Sequence, residues 1–197
     1  MGTRRYEMSL RNRAKEQTRE AILDAAEGLF AEAYFDEVTL GDVARRAGVS
    51  QQTIANHFGS KGELYLRGIA ERWAPAIDAQ RSTARVGDVR SIVATICADY
   101  EHTGVSTIRG LALAERFDEL AQVMRGGREY HRKWVAKVFD PLLPPSGKER
   151  ERLVTLLGIA LDVRTWAQLR HDAGMGQRAT RDHIEQLVTA LVGHRGD

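Results

Sequence analysis

Apolar residues along this chain recur at helical spacing almost from end to end. Ile22, Ala25, Ala26, Leu29, Phe30 and Ala33 mark one buried stripe and predict a first helix over residues 12–33. Leu40, Val43, Ala44 and Ala47 fall at i, i+3, i+4 and i+7 and predict a second, short amphipathic helix. A helix from Lys61 carries Leu64, Tyr65, Ile69 and Trp73 before Pro75, which lacks an amide hydrogen and should kink or interrupt it. The polar stretch over residues 80–87 reads as a loop, and helical periodicity resumes over residues 89–102, 107–116, 119–139, 149–171 and 178–192. The breaks between them fall at Thr103-Gly104, Phe117-Asp118, Pro141 to Gly147 and Ala173 to Gly176. No alternating strand pattern occurs, so the expected fold is all-α.

The segment from Thr39 to Lys61 carries the densest local signals. Gly48 stands where a helix ends in a left-handed residue at no cost to glycine, and Val49 turns inward to pin the corner. Ser50 is a good N-cap for the next helix, which Ile54 and Phe58 anchor one turn apart. Gly59 closes that helix, and Ser60-Lys61-Gly62-Glu63 is a capping box that opens another. Two short helices joined by a glycine-containing turn form a helix-turn-helix. The polar face of its second helix, Gln51, Gln52, Thr53, Asn56 and His57, carries groups that hydrogen-bond base edges or phosphates in a major groove. Spacing alone leaves open a set of packed surface helices in a ligand-binding or protein-interaction module without sequence-specific DNA binding.

Charge refines this picture. Over residues 1–79 there are 11 Lys and Arg against 12 Asp and Glu, a formal −1, so bulk charge does not argue for nucleic acid. Distribution does, because Arg4, Arg5, Arg11, Arg13, Lys15 and Arg19 cluster at the start as a basic arm suited to phosphates. The single cysteine, Cys97, lies in an apolar helical run and reads as a small core residue. No run of 18 apolar residues and no signal-peptide pattern occurs, which leads us to expect a cytoplasmic protein without a membrane span. Catalytic motifs are missing: Gly104-Val105-Ser106-Thr107-Ile108 lacks the second glycine of a nucleophile elbow, and no glycine-rich loop precedes Gly147-Lys148. The histidines form no i, i+4 pair and no H-E-x-x-H. An enzyme, a cofactor and a metal site are therefore not expected.

The run VTLGDVARRAGVSQQTIANHFGSKGELY, with the helix that precedes it, closely resembles the N-terminal domain of the TetR family of transcriptional regulators. The family's HF-x-x-K-x-x-L stretch is matched by His57, Phe58, Lys61 and Leu64. One departure is Ala55, where the family usually has a tyrosine that touches the DNA backbone, so no contact is assigned there. The resemblance implies an arm and three-helix DNA-binding domain over residues 1–60, a linking helix over 61–79, and a helical ligand-binding and dimerisation domain over 80–197. It also implies a repressor that binds a palindromic operator in double-stranded DNA as a homodimer and is released by an unidentified small-molecule effector.

Within that frame Gln51, Gln52 and Thr53 are expected at base edges, and Thr39, Ser50, Asn56, His57 and Lys61 at the backbone. The two last helices carry the apolar stripes Leu153, Leu156, Leu157, Ala160, Leu161 and Ile184, Leu187, Val188, Leu191. In the family the corresponding helices form a four-helix dimer interface. Leu153, Leu157, Leu161, Ile184, Leu187, Val188 and Leu191 are the expected dimerisation residues. Ile96, Tyr100, Phe117, Met124, Tyr130, Trp134, Phe139 and Trp166 supply the large side chains for a dry ligand pocket or for ordinary core packing.

Overall fold

Helices follow one another along the chain in the computed structural model, which describes residues 2–193, with side chains from Leu10 onward. No strand occurs among the described residues. The first helix, α1, spans Gly2–Glu32 rather than starting near Asn12. From Thr3 to Glu27 it has no Gly or Pro to stop it and is rich in Arg, Lys, Glu, Gln, Leu, Met and Ala, strong helix formers, so the basic arm has a helical backbone. The side chains of Arg4 and Arg5 lie outside the described residues. Then come α2 (Leu40–Ala47), α3 (Gln51–Phe58) and α4 (Lys61–Gly68). A π-type turn over Ile69–Trp73 leads into α5 (Ala74–Arg81). Pro75 does not end the helix. The wider turn, in which the amide of Ala74 donates to the carbonyl of Ile69, accommodates the proline ring one residue later.

Contacts divide the chain into two units, Met1–Ala74 and Pro75–Asp197. In the first, Ile22, Leu23 and Ala26 of α1 are buried, as are Val43 of α2, Ile54 of α3 and Leu64 of α4. At one end an aromatic group joins Phe30, Phe35, Tyr65 and Trp73, with Tyr65 set edge-on to Phe30 at 5.0 Å. Phe35 is buried among these rings, whereas its neighbour Tyr34 is 41% exposed.

The second unit continues with α6 (Val89–Leu113), α7 (Asp118–Val138), a short 3₁₀ turn at Asp140–Leu142, α8 (Lys148–Ala160), α9 (Val163–Ala167) with a π-type turn over Gln168–Asp172, and α10 (Gln177–Gly193). Its core joins Ile92, Ile96, Val135, Leu157, Leu161 and Ile184. Two breaks differ from the sequence expectation. Helix α6 runs straight through Thr103-Gly104. Gly104 is buried against the ring of Trp166, where any β-carbon would collide, so this glycine serves close packing rather than a turn. Conversely, the helix expected over residues 149–171 breaks after Ala160, and Asp162 caps a new one by accepting a hydrogen bond from the Arg164 amide at 2.8 Å.

Candidate nucleic-acid interface

The helix-turn-helix is built by short-range caps. Thr39 Oγ1 accepts from the Asp42 amide at 3.1 Å while the Asp42 carboxylate accepts from the Thr39 amide, a complete capping box at the start of α2. The Thr39 hydroxyl also donates to Asp42 Oδ2 at 2.6 Å. These bonds, with Arg45 nearby, hold the Asp42 carboxyl below its usual range. Helix α2 ends at Gly48 with φ 67°, and the chain turns into α3 through Ser50, whose Oγ accepts from the Thr53 amide at 3.0 Å. A second capping box, Ser60 with Glu63, opens α4.

Tertiary contacts then fix the orientation of α2 and α3. Arg46 crosses α1 at Gly28, where a β-carbon would lie 2.7 Å from its Cζ, and grips Glu32 through two bonds of 3.0 and 3.1 Å. Gln51 lies over Gly41 of α2, with its Nε2 2.9 Å from where a β-carbon would stand. Ile54 and Phe58 are buried, so the opposite face of α3 points outward.

That outward face holds the residues expected from the sequence. Ser50, Gln51, Gln52 and Asn56 are exposed, Thr53 and His57 half-buried, and Thr39 exposed at the neighbouring helix start. Their polar groups are preorganised among themselves: Gln52 Nε2 donates to Asn56 Oδ1 at 3.0 Å, and the hydroxyls of Ser50 and Thr53 lie 2.8 Å apart. Lys61 is placed differently from the phosphate contact expected of it. Its Nζ donates to the carbonyls of Phe35 and Val38 at 2.8 and 3.0 Å and sits 4.3 Å from the Phe35 ring centre. It ties the α1–α2 loop to the start of α4.

Sequence reasoning missed a cleft beside this face. It has a volume of about 360 Å³ and is lined by Asn12, Lys15 and Arg19 of α1, Asn56 and His57 of α3, and Arg67 of α4. Glu16 and Phe58 complete the lining. Arg19 reaches across to Glu71, which Arg67 also pairs at 3.5 Å, and this holds the Glu71 carboxyl below its usual range. Lys15, by contrast, is exposed one turn from Asn12 on the same helix face. The basic arm signal pointed to Lys15 and Arg19, but only the fold brings them beside His57.

The expected ligand residues converge only in part. Ile96, Tyr100, Trp134, Phe139 and Trp166 are buried in the second unit's core. Met124 is buried against Gly110, and Phe117 and Tyr130 are half-buried. Of the expected dimerisation residues, Leu157, Leu161, Ile184 and Val188 lie in the chain's own core, Leu153 and Leu191 are half-buried, and Leu187 is 48% exposed. Ile159, which the sequence stripe did not include, is 60% exposed. Cys97 is buried, and burial pushes its thiol up to about 12. Among the described residues there is no cluster of His, Cys, Asp and Glu fit for a metal ion, and no helix long and apolar enough to cross a membrane.

Comparison with known proteins places this geometry. Three solved structures share the fold at low identity: a transcriptional regulator from Rhodococcus sp. Rha1 (19% identical, 91% of this chain and 96% of that one, TM-score 0.68), SmeT in complex with triclosan (20%, 88% and 90%, TM-score 0.62), and a TetR-family regulator from Streptomyces coelicolor (21%, 90% and 96%, TM-score 0.52). The HTH-type transcriptional regulator AlkX of Mycobacterium tuberculosis is 43% identical over 73 residues, 36% of this chain. The match spans 34%, about a third, of that relative's length. Residues 22–67, which hold the capped helix pair and its supporting helices, match the family model for bacterial regulatory proteins of the tetR family. The likeness to the tetR family of bacterial regulatory proteins is thus carried by this N-terminal segment, residues 22–67 of the chain.

Proposed function

We propose that the protein is a one-component transcriptional regulator that binds a palindromic operator as a homodimer and is released by a small molecule, acting as a repressor. The observation that carries this reading is the outer face of α3, which a buried Ile54 and Phe58 hold rigid while Gln51, Gln52 and Asn56 stand exposed. Gln51, Gln52 and Thr53 read base edges; Thr39, Ser50, Asn56 and His57 position the phosphates, and Lys15 and Asn12 extend that footprint along the cleft. Lys61 acts through the loop it ties down.

Two further features fit the reading. Ile159 and Leu156 lie one turn apart on α8, and Leu187 and Leu191 one turn apart on α10, which packs on α8; none of the four is fully buried in the chain. They are the positions left for a partner copy, and two copies supply reading heads about 34–36 Å apart. Ligand release follows from linkage: an effector that favours the conformer unsuited to DNA is itself held more weakly by the DNA-bound protein. One solved neighbour, SmeT, is in complex with triclosan, which supports a small-molecule ligand for this fold.

A mobility-shift assay on fragments of the source genome tests the core claim. It should give salt-sensitive binding that prefers one sequence, with log K falling by about 0.9 per unit of log salt for each phosphate neutralised. Gln52→Ala should relax preference at one operator position, and Lys15→Ala should lower the salt slope uniformly. Weak binding indifferent to sequence in the unmodified protein would leave an all-helical binding module without an operator.

A further inference from the structure

Arg81, the last residue of α5, is a cation enclosed in an aromatic box. Its side chain is 8% exposed, and its Nε donates to Asp99 Oδ2 at 2.7 Å, on a carboxylate only 2% exposed. The guanidinium carbon lies 5.7, 5.3 and 5.5 Å from the ring centres of Tyr100, Tyr130 and Trp134. The surrounding polar atoms are committed as well: Thr103 donates to the other Asp99 oxygen at 3.2 Å, Trp134 Nε1 to the Arg81 carbonyl at 3.1 Å, and Tyr130 to Asp78 at 2.9 Å. His131 approaches the guanidinium through Nδ1 at 3.5 Å while its Nε2 lies 3.1 Å from the Gly158 carbonyl. A carbonyl only accepts, so Nε2 carries the proton, and a guanidinium only donates, so Nδ1 carries none and the ring facing Arg81 is neutral. Burial and the adjacent guanidinium lower the His131 pKa, in keeping with that tautomer.

Three aromatic faces and one buried carboxylate are the components of a receptor for an organic cation. Stability does not call for them, because a buried ion pair contributes little net over an apolar replacement. We propose that this box is the effector site, that Arg81 occupies it as an internal stand-in, and that the effector is a flat organic monocation of amidinium or guanidinium type. The charge follows from Asp99: a neutral molecule that displaced Arg81 would leave a carboxylate buried without its counter-ion, whereas a cation replaces charge with charge. The flat shape follows from the ring distances, which admit a planar delocalised group between the rings.

Entry and exit are also built in. Tyr130 is half-buried and forms the rim, and Arg81 leads directly into the exposed turn residues Ser82 and Thr83. The side chain therefore leaves from a helix end, and no core residue follows it out. The site rests on the ligand-responsive reading for its biological consequence but not for its chemistry.

The test uses the full-length protein without DNA, so that its failure is separate from a failure of operator binding. The Nε–H resonance of Arg81 is followed by NMR while benzamidinium or its neutral isostere benzamide is added, with Trp134 fluorescence as a parallel reading. Benzamidinium should shift or remove the Arg81 signal and bind at least tenfold tighter than benzamide. Arg81→Ala, which empties the box, should bind benzamidinium at least tenfold tighter again and gain thermal stability from methylguanidinium but not from methylurea. An Arg81 signal unchanged at millimolar benzamidinium, or equal response to the charged and neutral probes, would overturn the proposal. This holds even if Arg81→Ala does not fold, since the first titration needs only the native chain.

Discussion

Replacing Gly104 by alanine isolates one packing contact with opposing effects of known size. In the middle of α6, alanine is worth roughly 0.8–1.0 kcal/mol over glycine in helix propensity. Against this, the added methyl would lie 2.7 Å from Cη2 and 2.9 Å from Cε3 of Trp166, and closer still to Cζ3. Carbon pairs prefer about 3.5–4.0 Å, so the indole must retreat by about an ångström. It is not free to do so: Trp166 is 2% exposed, and its Nε1 donates to Glu101 at 3.1 Å, on a carboxylate that also holds Arg170 and Gln177. Overpacking costs about 1–3 kcal/mol, and losing a hydrogen bond to a charged group a further 1.5–3. The clash wins: the two costs less the propensity gain put Gly104→Ala at roughly 1.5–5 kcal/mol destabilising, lowering the melting temperature by roughly 3–20 °C. Urea titration with tryptophan fluorescence measures this, and adding Trp166→Phe should recover at least about 1 kcal/mol through coupling between the two sites. A Gly104→Ala protein as stable as the parent would refute the argument, since propensity alone would then decide.

Lys61→Met should lower stability by about 1–3 kcal/mol by removing its hydrogen bonds to the carbonyls of Phe35 and Val38, and it should leave the salt slope of DNA binding unchanged. Calorimetry and a salt series separate these two effects. His131 is neutral in the fold with its pKa lowered from 6.5, so the unfolded chain binds its proton first; stability should be full above about pH 6.5 and fall as the pH drops through the folded value. Chemical denaturation between pH 7.5 and 5 reads that loss, and a His131→Gln protein should show a flatter profile. Cys97, buried with its thiol pushed up to about 12, should react with a disulfide reagent only as fast as the chain opens, and at once in denaturant.

Sequence legibility tracked the range of the forces involved. The helix-turn-helix was readable because its caps act over three residues: Thr39 on Asp42, Ser50 on Thr53, Ser60 on Glu63. Gly48 and Gly104 are the same residue in superficially similar helical runs, yet one turns the chain and the other admits a ring from 62 positions downstream. Nothing local distinguishes them. Lys61 matched a DNA-binding pattern, but its bonding partners are 26 and 23 residues upstream. The break at Asp162 did have a local sign, an N-cap residue, which the continuous apolar stripe from Leu153 to Leu161 masked. Likewise the box around Arg81 joins residues from three separate helices, and no spacing in the sequence connects Arg81 with Asp99 and Trp134.

In the proposed complex, the bond between Gln52 and Asn56 on the outer face of α3 would set a threshold for recognition. A base edge that offers Gln52 a partner must outcompete one the helix already supplies. A matching edge can do so because it presents a donor and an acceptor together, while a mismatched one offers only half and leaves the internal bond in place. The same pair that holds the side chains ready thus lowers the gain from every wrong sequence. In the proposed complex, discrimination would come as much from what the unbound helix already satisfies as from what the operator adds.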